Sequence, residues 1–124
     1  MAATVLICDN EEVLRSLVRA TLNHGDYELA EACNGDEALA LARELRPDVI
    51  LLDMMMPGRT GLEVLTELRA EPGFEDTRVV VLTARAQESD RAAAVGAGAD
   101  SFLTKPFSPL ELVSLVDELL DGRP

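Results

Sequence analysis

The chain has 124 residues and a formal net charge of −12, with 48% hydrophobic but only 3% aromatic residues. That length suits one domain able to bury about two-thirds of its unfolded surface, and the apolar content excludes a disordered chain. The acidic balance argues against nucleic-acid binding through this domain, because a phosphate backbone demands a basic face; it favours a hard, oxygen-liganded cation such as Mg²⁺.

No apolar run is long enough to span a bilayer, and no charged-then-apolar leader is present, so the expectation is a cytoplasmic protein with no membrane partner. Cys8 and Cys33 show no metal spacing. Cys8 falls in an apolar run and reads as core filler, and reduced thiols fit that compartment.

Thr4 to Cys8 is the first strand, ending at Asp9-Asn10. Val13, Leu14, Leu17, Val18 and Leu22 mark a helix from Glu11 to Asn23, with Asn10 as cap and Gly25 as terminator. Tyr27 to Ala32 alternates, with Glu28 and Glu31 interrupting, as an edge strand does. Asn34-Gly35 is a turn signal, and Ala38, Leu39, Leu41, Ala42 and Leu45 mark a second helix that Pro47 stops. Val49 to Leu52 is a doubly buried strand halted at Asp53, with Met54-Met55-Met56-Pro57 beyond it. Thr60 and Glu63 form a capping box for a helix to about Ala70, broken by Pro72-Gly73. Arg78 to Thr83 is a fourth strand. Glu88 to Val95 is an alanine-rich helix that buries little, and Ser101 to Thr104 is a short fifth strand. Ser108, Pro109 and Glu111 start a last helix to about Leu120. Residues 1–121 read as the domain, and 122–124 as a tail or the start of a linker.

Alternating strands and helices mean an α/β fold, a parallel sheet covered on both faces. Right-handed crossovers bring all strand C-termini to one edge, where such sheets hold ligands. The tips carry Asp9-Asn10-Glu11-Glu12, Asp53, Thr83-Ala84 and Thr104-Lys105-Pro106-Phe107. Each alone has an ordinary account: a helix-start carboxylate, a turn aspartate, a β-branched strand residue, a solvated lysine. Jointly, on one edge, they describe a site. Two carboxylates a few ångströms apart repel by several kcal/mol at an effective dielectric of about 20. A divalent cation relieves that repulsion, and an oxygen-only site suits Mg²⁺. One carboxylate can then act as a nucleophile toward phosphorus, with the lysine and metal neutralising the transferred oxygens.

Four segments carry a resemblance over essentially the whole chain: Leu6-Ile7-Cys8-Asp9-Asn10-Glu11, Asp48 to Gly58, Val80-Val81-Leu82-Thr83-Ala84-Arg85, and Gly96 to Asp100 followed by Phe102-Leu103-Thr104-Lys105-Pro106-Phe107. In these the chain resembles the receiver domain of bacterial response regulators. The resemblance implies a flavodoxin-like doubly wound sheet of order 2-1-3-4-5 with five helices. It implies that Asp53 is a phosphoacceptor, served by the phosphohistidine of a sensor histidine kinase or phosphotransfer protein, or by a small acyl phosphate. Asp9 and Asp53 would hold Mg²⁺ with the Met55 backbone carbonyl. Lys105 would hold a phosphoryl oxygen, Thr83 would swing toward the attached group, and Phe102 would follow it as a switch aromatic. A cis Lys105–Pro106 bond is expected.

Asn10 departs from the family, which usually has a second carboxylate there. An amide oxygen can ligate Mg²⁺ but brings no charge, so weaker Mg²⁺ binding is expected, with Glu11 as a substitute ligand. Thr60 stands where an aspartate is common and reads as an exchange of caps with little functional effect.

Met54, Met55 and Met56 read as filler, apart from the Met55 carbonyl and its position as a shield against water. Arg85 is either a second shield or a solvated side chain. His24, beside Gly25, reads as a helix-end dipole partner rather than a phosphocarrier. In the last helix Leu112, Val113, Leu115, Val116, Leu119 and Leu120 cover a wide arc with Leu110 outside it. Deep packing accounts for that arc, and so does a partner or dimer surface shared with the fifth strand and the marginal alanine-rich helix.

These residues point to a phosphoaspartate switch in two-component signalling rather than an enzyme with an external substrate. Its output is a downstream domain or protein, with homodimerisation on phosphorylation as one route. An aspartate-nucleophile phosphatase wants a second carboxylate where Met55 stands. A flavin carrier is opposed by the acidic run after strand one. A degenerate receiver that binds partners without phosphorylation is the alternative that Asn10 keeps open.

Overall fold

The computed structural model describes residues 3–23, 27–84 and 88–121. Five strands alternate with five helices: β1 (Ala3–Cys8), α1 (Glu12–Leu22), β2 (Tyr27–Ala32), α2 (Gly35–Leu45), β3 (Val49–Asp53), α3 (Gly61–Ala70), β4 (Arg78–Thr83), α4 (Glu88–Ala97), β5 (Ser101–Thr104) and α5 (Pro109–Asp121). The strands form one parallel sheet of order β2-β1-β3-β4-β5. The expected fold class and strand order are what the chain adopts.

The inner strands β1, β3 and β4 are apolar along most of their length because both faces of the sheet are covered there, whereas the edge strand β2 carries Glu28 and Glu31. Leu6, Cys8, Ile50, Leu52, Val79 and Val81 face one way and pack with α2, α3 and α4 through Leu39, Val64, Leu65, Leu68 and Ala94. Val5, Ile7, Val49, Leu51, Val80 and Leu82 face the other way, against Val18 and Leu22 of α1 and Leu112 and Val116 of α5. The period-2 alternation of side chains divides each run between the two layers.

Local signals set most helix starts. In α3, Thr60 accepts the Glu63 N–H while Glu63 accepts the Thr60 N–H. Ser108 and Glu111 make the same reciprocal pair before α5. Asn34-Gly35 is not a free-standing turn: Asn34 caps α2 through the Glu37 N–H, and Gly35 is its first residue. Asn10 does not cap α1, whose cap residue is Glu11 with no side-chain bond. Asp9 takes that place instead, its Oδ1 accepting the Glu11 N–H at 2.9 Å. The α4 helix runs two residues past Val95, to Ala97. His24, Gly25, Arg85 and residues 122–124 lie outside the described residues, so the expectations placed on them go untested.

In α5, Leu112 and Val116 are buried, while Val113, Leu115, Leu119 and Leu120 are partly buried on the same cluster. Packing between α1 and the sheet thus accounts for the wide apolar arc, leaving Leu110, 75% exposed, outside it. Among the described residues no helix is long and apolar enough to cross a membrane.

Candidate functional site

Strand register brings the site together. Cys8 is level with Leu52, so Asp9 follows its strand where Asp53 ends the next one. Asp53 is level with Leu82, and Thr83 with Thr104, which places Thr83 and Lys105 on the same edge. The Lys105 N–H donates to the Thr83 carbonyl at 2.7 Å, and the Lys105–Pro106 bond is cis. Asn10, Glu11, Asp53, Met54, Met55, Thr83, Ala84 and Lys105 line one cleft of about 560 Å³.

Asp9 is fully buried and Asp53 is 5% exposed. A single ammonium serves both: Lys105 Nζ lies 2.8 Å from Asp9 Oδ2 and 3.4 Å from Asp53 Oδ1. Glu11 Oε1 is 3.5 Å from the same nitrogen, on a largely exposed side chain. Asp53 Oδ1 also accepts the Met55 N–H at 3.3 Å. Burial first, and then the Asp9 charge, push the Asp53 carboxyl above its ordinary value; Lys105 and the Met55 amide oppose this and are outweighed. Burial acts to lower the Lys105 ammonium, but its hydrogen bond to Asp9 and the charges of Asp53 and Asp9 together raise it. The cleft is therefore short of positive charge.

The oxygen donors gathered around Lys105 are of the kind a hard cation takes. Two carboxylates, the Asn10 amide and a backbone carbonyl at Met55 offer only oxygen, the ligand type Mg²⁺ takes. Among the described residues no three Cys, His, Asp or Glu side chains are arranged to hold a metal. Asn10 in place of a carboxylate leaves Asp9 and Asp53 as a pair, and Glu11 turns to Lys105.

The raised Asp53 carboxyl has a sign that can be tested. A carboxyl whose pKa is higher folded than unfolded opposes folding once both forms are ionised. That penalty vanishes below the ordinary carboxylate value and sets in as pH rises through the folded value. Metal-free Asp53→Asn is therefore expected to melt roughly a few degrees above wild type at pH 7. The difference should shrink as pH falls to the acidic range in parallel melts, and a lower melting temperature at pH 7 would contradict the assignment.

Sequence reasoning named the residues that line the cleft, apart from Met54 and Ala84 as lining residues, and missed what holds the site in shape. Arg15 NH1 donates to the Asp9 carbonyl at 2.7 Å, and its Nε to Glu31 at 3.1 Å. The Glu31 that interrupts β2 is thus the partner of a guanidinium that fastens the β1–α1 turn. Gly61 lies so close to β3 that a Cβ would sit 2.3 Å from the Asp53 carbonyl oxygen. Phe102 is not in the cleft. It is level with Val81 on β5 and packs, half-buried, on the layer with α2, α3 and α4. Met55 is 74% exposed at the lip, whereas Met56 is buried.

A family model described as the response regulator receiver domain matches residues 5–117. The transcriptional regulatory protein ResD of Bacillus subtilis is 42% identical over 116 residues, covering 94% of this chain and 47% of ResD. The phosphate regulon transcriptional regulatory protein PhoB of Escherichia coli is 38% identical over 120 residues, covering 97% and 52%. The chain thus spans about half the length of these curated relatives. The chemotaxis response regulator CheY4 of Vibrio cholerae superposes with a TM-score of 0.91 at 33% identity, covering 96% of this chain and 99% of that one. The receiver domain of the Pseudomonas aeruginosa sensor histidine kinase PA1611, solved with a magnesium ion coordinated in its active site cleft, gives 0.89 at 26% identity, covering 98% and 100%.

Proposed function

The chain belongs to the response regulator receiver family of two-component signalling, and on that premise we propose that it is a phosphoacceptor switch whose acceptor is Asp53. The observation that carries this is the convergence of Asp9, Asp53 and Lys105 at the strand tips, where one ammonium lies between two buried carboxylates, and where burial and the Asp9 charge hold the Asp53 carboxyl above its ordinary value.

The phosphoryl group comes from the phosphohistidine of a sensor histidine kinase or phosphotransfer protein. A carboxylate oxygen of Asp53 attacks phosphorus; the O–P bond forms as the donor's N–P bond breaks. Lys105 Nζ, already 3.4 Å from Asp53 Oδ1, takes up charge on a transferred oxygen. Asp9, Asp53, Asn10 and the Met55 carbonyl would hold Mg²⁺, with Glu11 in support, and when bound the ion neutralises phosphoryl charge. Exposed Met55 stands at the lip, where it limits water. Turnover is limited to self-phosphotransfer and slow autodephosphorylation.

Thr83, at the same edge, meets the attached group, and Phe102 on the neighbouring strand carries the change to the α4–β5–α5 face. That face serves a downstream domain or protein and, on phosphorylation, a second copy. Nucleic acid and membrane are not partners of this domain. Heteronuclear NMR with and without acetyl phosphate and Mg²⁺ tests the readout: signals of Thr83, Phe102 and α4–β5–α5 should shift together and stay still in Asp53→Asn. Shifts confined to the cleft would refute the assigned face.

Asn10 gives a second check. Asn10→Asp adds a carboxylate at a position where the cleft has only an amide, and calorimetric titration should show Mg²⁺ binding tighter by about tenfold, roughly 1.4 kcal/mol. Equal affinity would remove Asn10 from the ligand set.

A further inference from the structure

We propose that the junction of Gly35 with Arg59 is a positioning device: by seating the β3–α3 loop on the N-terminus of α2, it sets the affinity of the cleft for its divalent cation. The inference rests on the phosphoacceptor reading and extends it to residues outside the cleft.

The loop between β3 and α3 carries Met54, Met55 and the chain that leads away from Asp53. It is fastened at its base and along its outer span. At the base the Gly61 N–H donates to the Met54 carbonyl at 3.0 Å, and a Cβ on Gly61 would lie 2.3 Å from the Asp53 carbonyl oxygen. On the outer span Gly35 meets Arg59. A Cβ on Gly35 would lie 2.5 Å from Arg59 Cβ and 2.7 Å from its carbonyl oxygen. The Gly35 N–H points at the Pro57 carbonyl, 3.4 Å away. Gly58 turns the chain between them at φ +82°. The Arg59 guanidinium then reaches outward to both flanking helices, with Nε donating to Asp36 Oδ1 at 2.8 Å on α2 and NH1 to Glu67 Oε2 at 2.6 Å on α3.

Helix preference does not account for Gly35 at the first position of α2, since alanine is the better helix former. The approach of Arg59 does. The ion pairs are exposed and hold little by themselves, so the backbone contact is the larger constraint. A wedge at Gly35 must move either the N-terminus of α2 or the loop, and the loop bears the Met55 carbonyl assigned to the cation.

The test is calorimetric titration of MgCl₂ into the metal-free chain. The variants are Gly35→Ala and, as a control, Gly98→Ala. Gly98 has φ +106°, and a Cβ there would lie 2.8 Å from the Arg69 side chain. It precedes β5 and so lies at the opposite edge of the sheet. Both substitutions lower the melting temperature. Only Gly35→Ala should weaken Mg²⁺ binding, by about tenfold, as loss of a supporting group around a metal does. Its phosphorylation by acetyl phosphate should be slow at low Mg²⁺ and recover at saturation. A folded Gly35→Ala protein with wild-type Mg²⁺ affinity overturns the proposal, as does an equal loss in Gly98→Ala. If Gly35→Ala does not fold, Arg59→Gly frees the loop without a clash; it should bind Mg²⁺ about threefold or more weakly, and unchanged affinity overturns the proposal. Failure of the wild type to bind Mg²⁺ overturns both this proposal and the phosphoacceptor reading, which separates that outcome from failure of the junction alone.

Discussion

Lys105→Ala is expected to slow phosphoryl transfer to Asp53 by roughly 10²–10³-fold, the usual cost of removing a fixed donor from developing oxygen charge. Lys105 Nζ is bonded to Asp9 and is within 3.4 Å of Asp53, so its position is set before any phosphoryl group arrives. A second consequence follows from the same geometry. Without the ammonium, two buried carboxylates lose the cation they share, and the Glu11 and Met55 N–H groups that meet them do not replace its charge. In EDTA the variant should be less stable than wild type by about 1–3 kcal/mol, and Mg²⁺ should restore much of the loss. Single-turnover transfer and denaturant melts with and without Mg²⁺ check both halves. A rate within a few-fold of wild type would place Lys105 outside the chemistry.

Phe74→Ala is expected to have the largest effect on stability, about 3–5 kcal/mol, against a total of roughly 5–15 kcal/mol for a domain. Phe74 is 1% exposed and packs in the layer under α2 and α3. Arg46 lies over its ring with the guanidinium carbon 4.5 Å from the centroid. The ring closes the edge of the sheet opposite the cleft, so the variant should still accept phosphate at temperatures where it stays folded. Chemical denaturation measures the loss; a cost under about 1 kcal/mol would mean that the cavity refills.

Phe74 also shows where sequence reading stops. Pro72-Gly73 before it was legible as a helix break, but nothing in the chain marks the aromatic after it as a core anchor. What the sequence does express is local or periodic. Aliphatic runs became strands because both faces are covered, and the reciprocal pairs Thr60/Glu63 and Ser108/Glu111 became caps because three residues suffice to form them. The residues at the strand tips were legible for the same reason, since a parallel sheet has one edge on which Asp9, Asp53, Thr83 and Lys105 can meet. Asn34-Gly35 misled because that pair serves a turn and a helix start equally well. Asn10 misled because Asp9, one residue earlier, makes the bond. Arg15 on the Asp9 carbonyl, Gly61 on the Asp53 carbonyl and Arg59 on Gly35 were invisible, because each depends on how closely two distant segments approach.

The central claim is that Asp53 takes a phosphoryl group in this cleft. Intact mass after incubation with acetyl phosphate and Mg²⁺, with Asp53→Asn alongside, tests it most directly. A single phosphoryl adduct on the wild type, absent from Asp53→Asn and abolished by EDTA, is the predicted result. An adduct of equal yield on Asp53→Asn, or none on the wild type with either acetyl phosphate or a phosphohistidine donor at saturating Mg²⁺, would contradict it and make the chain a binding module that works without phosphorylation.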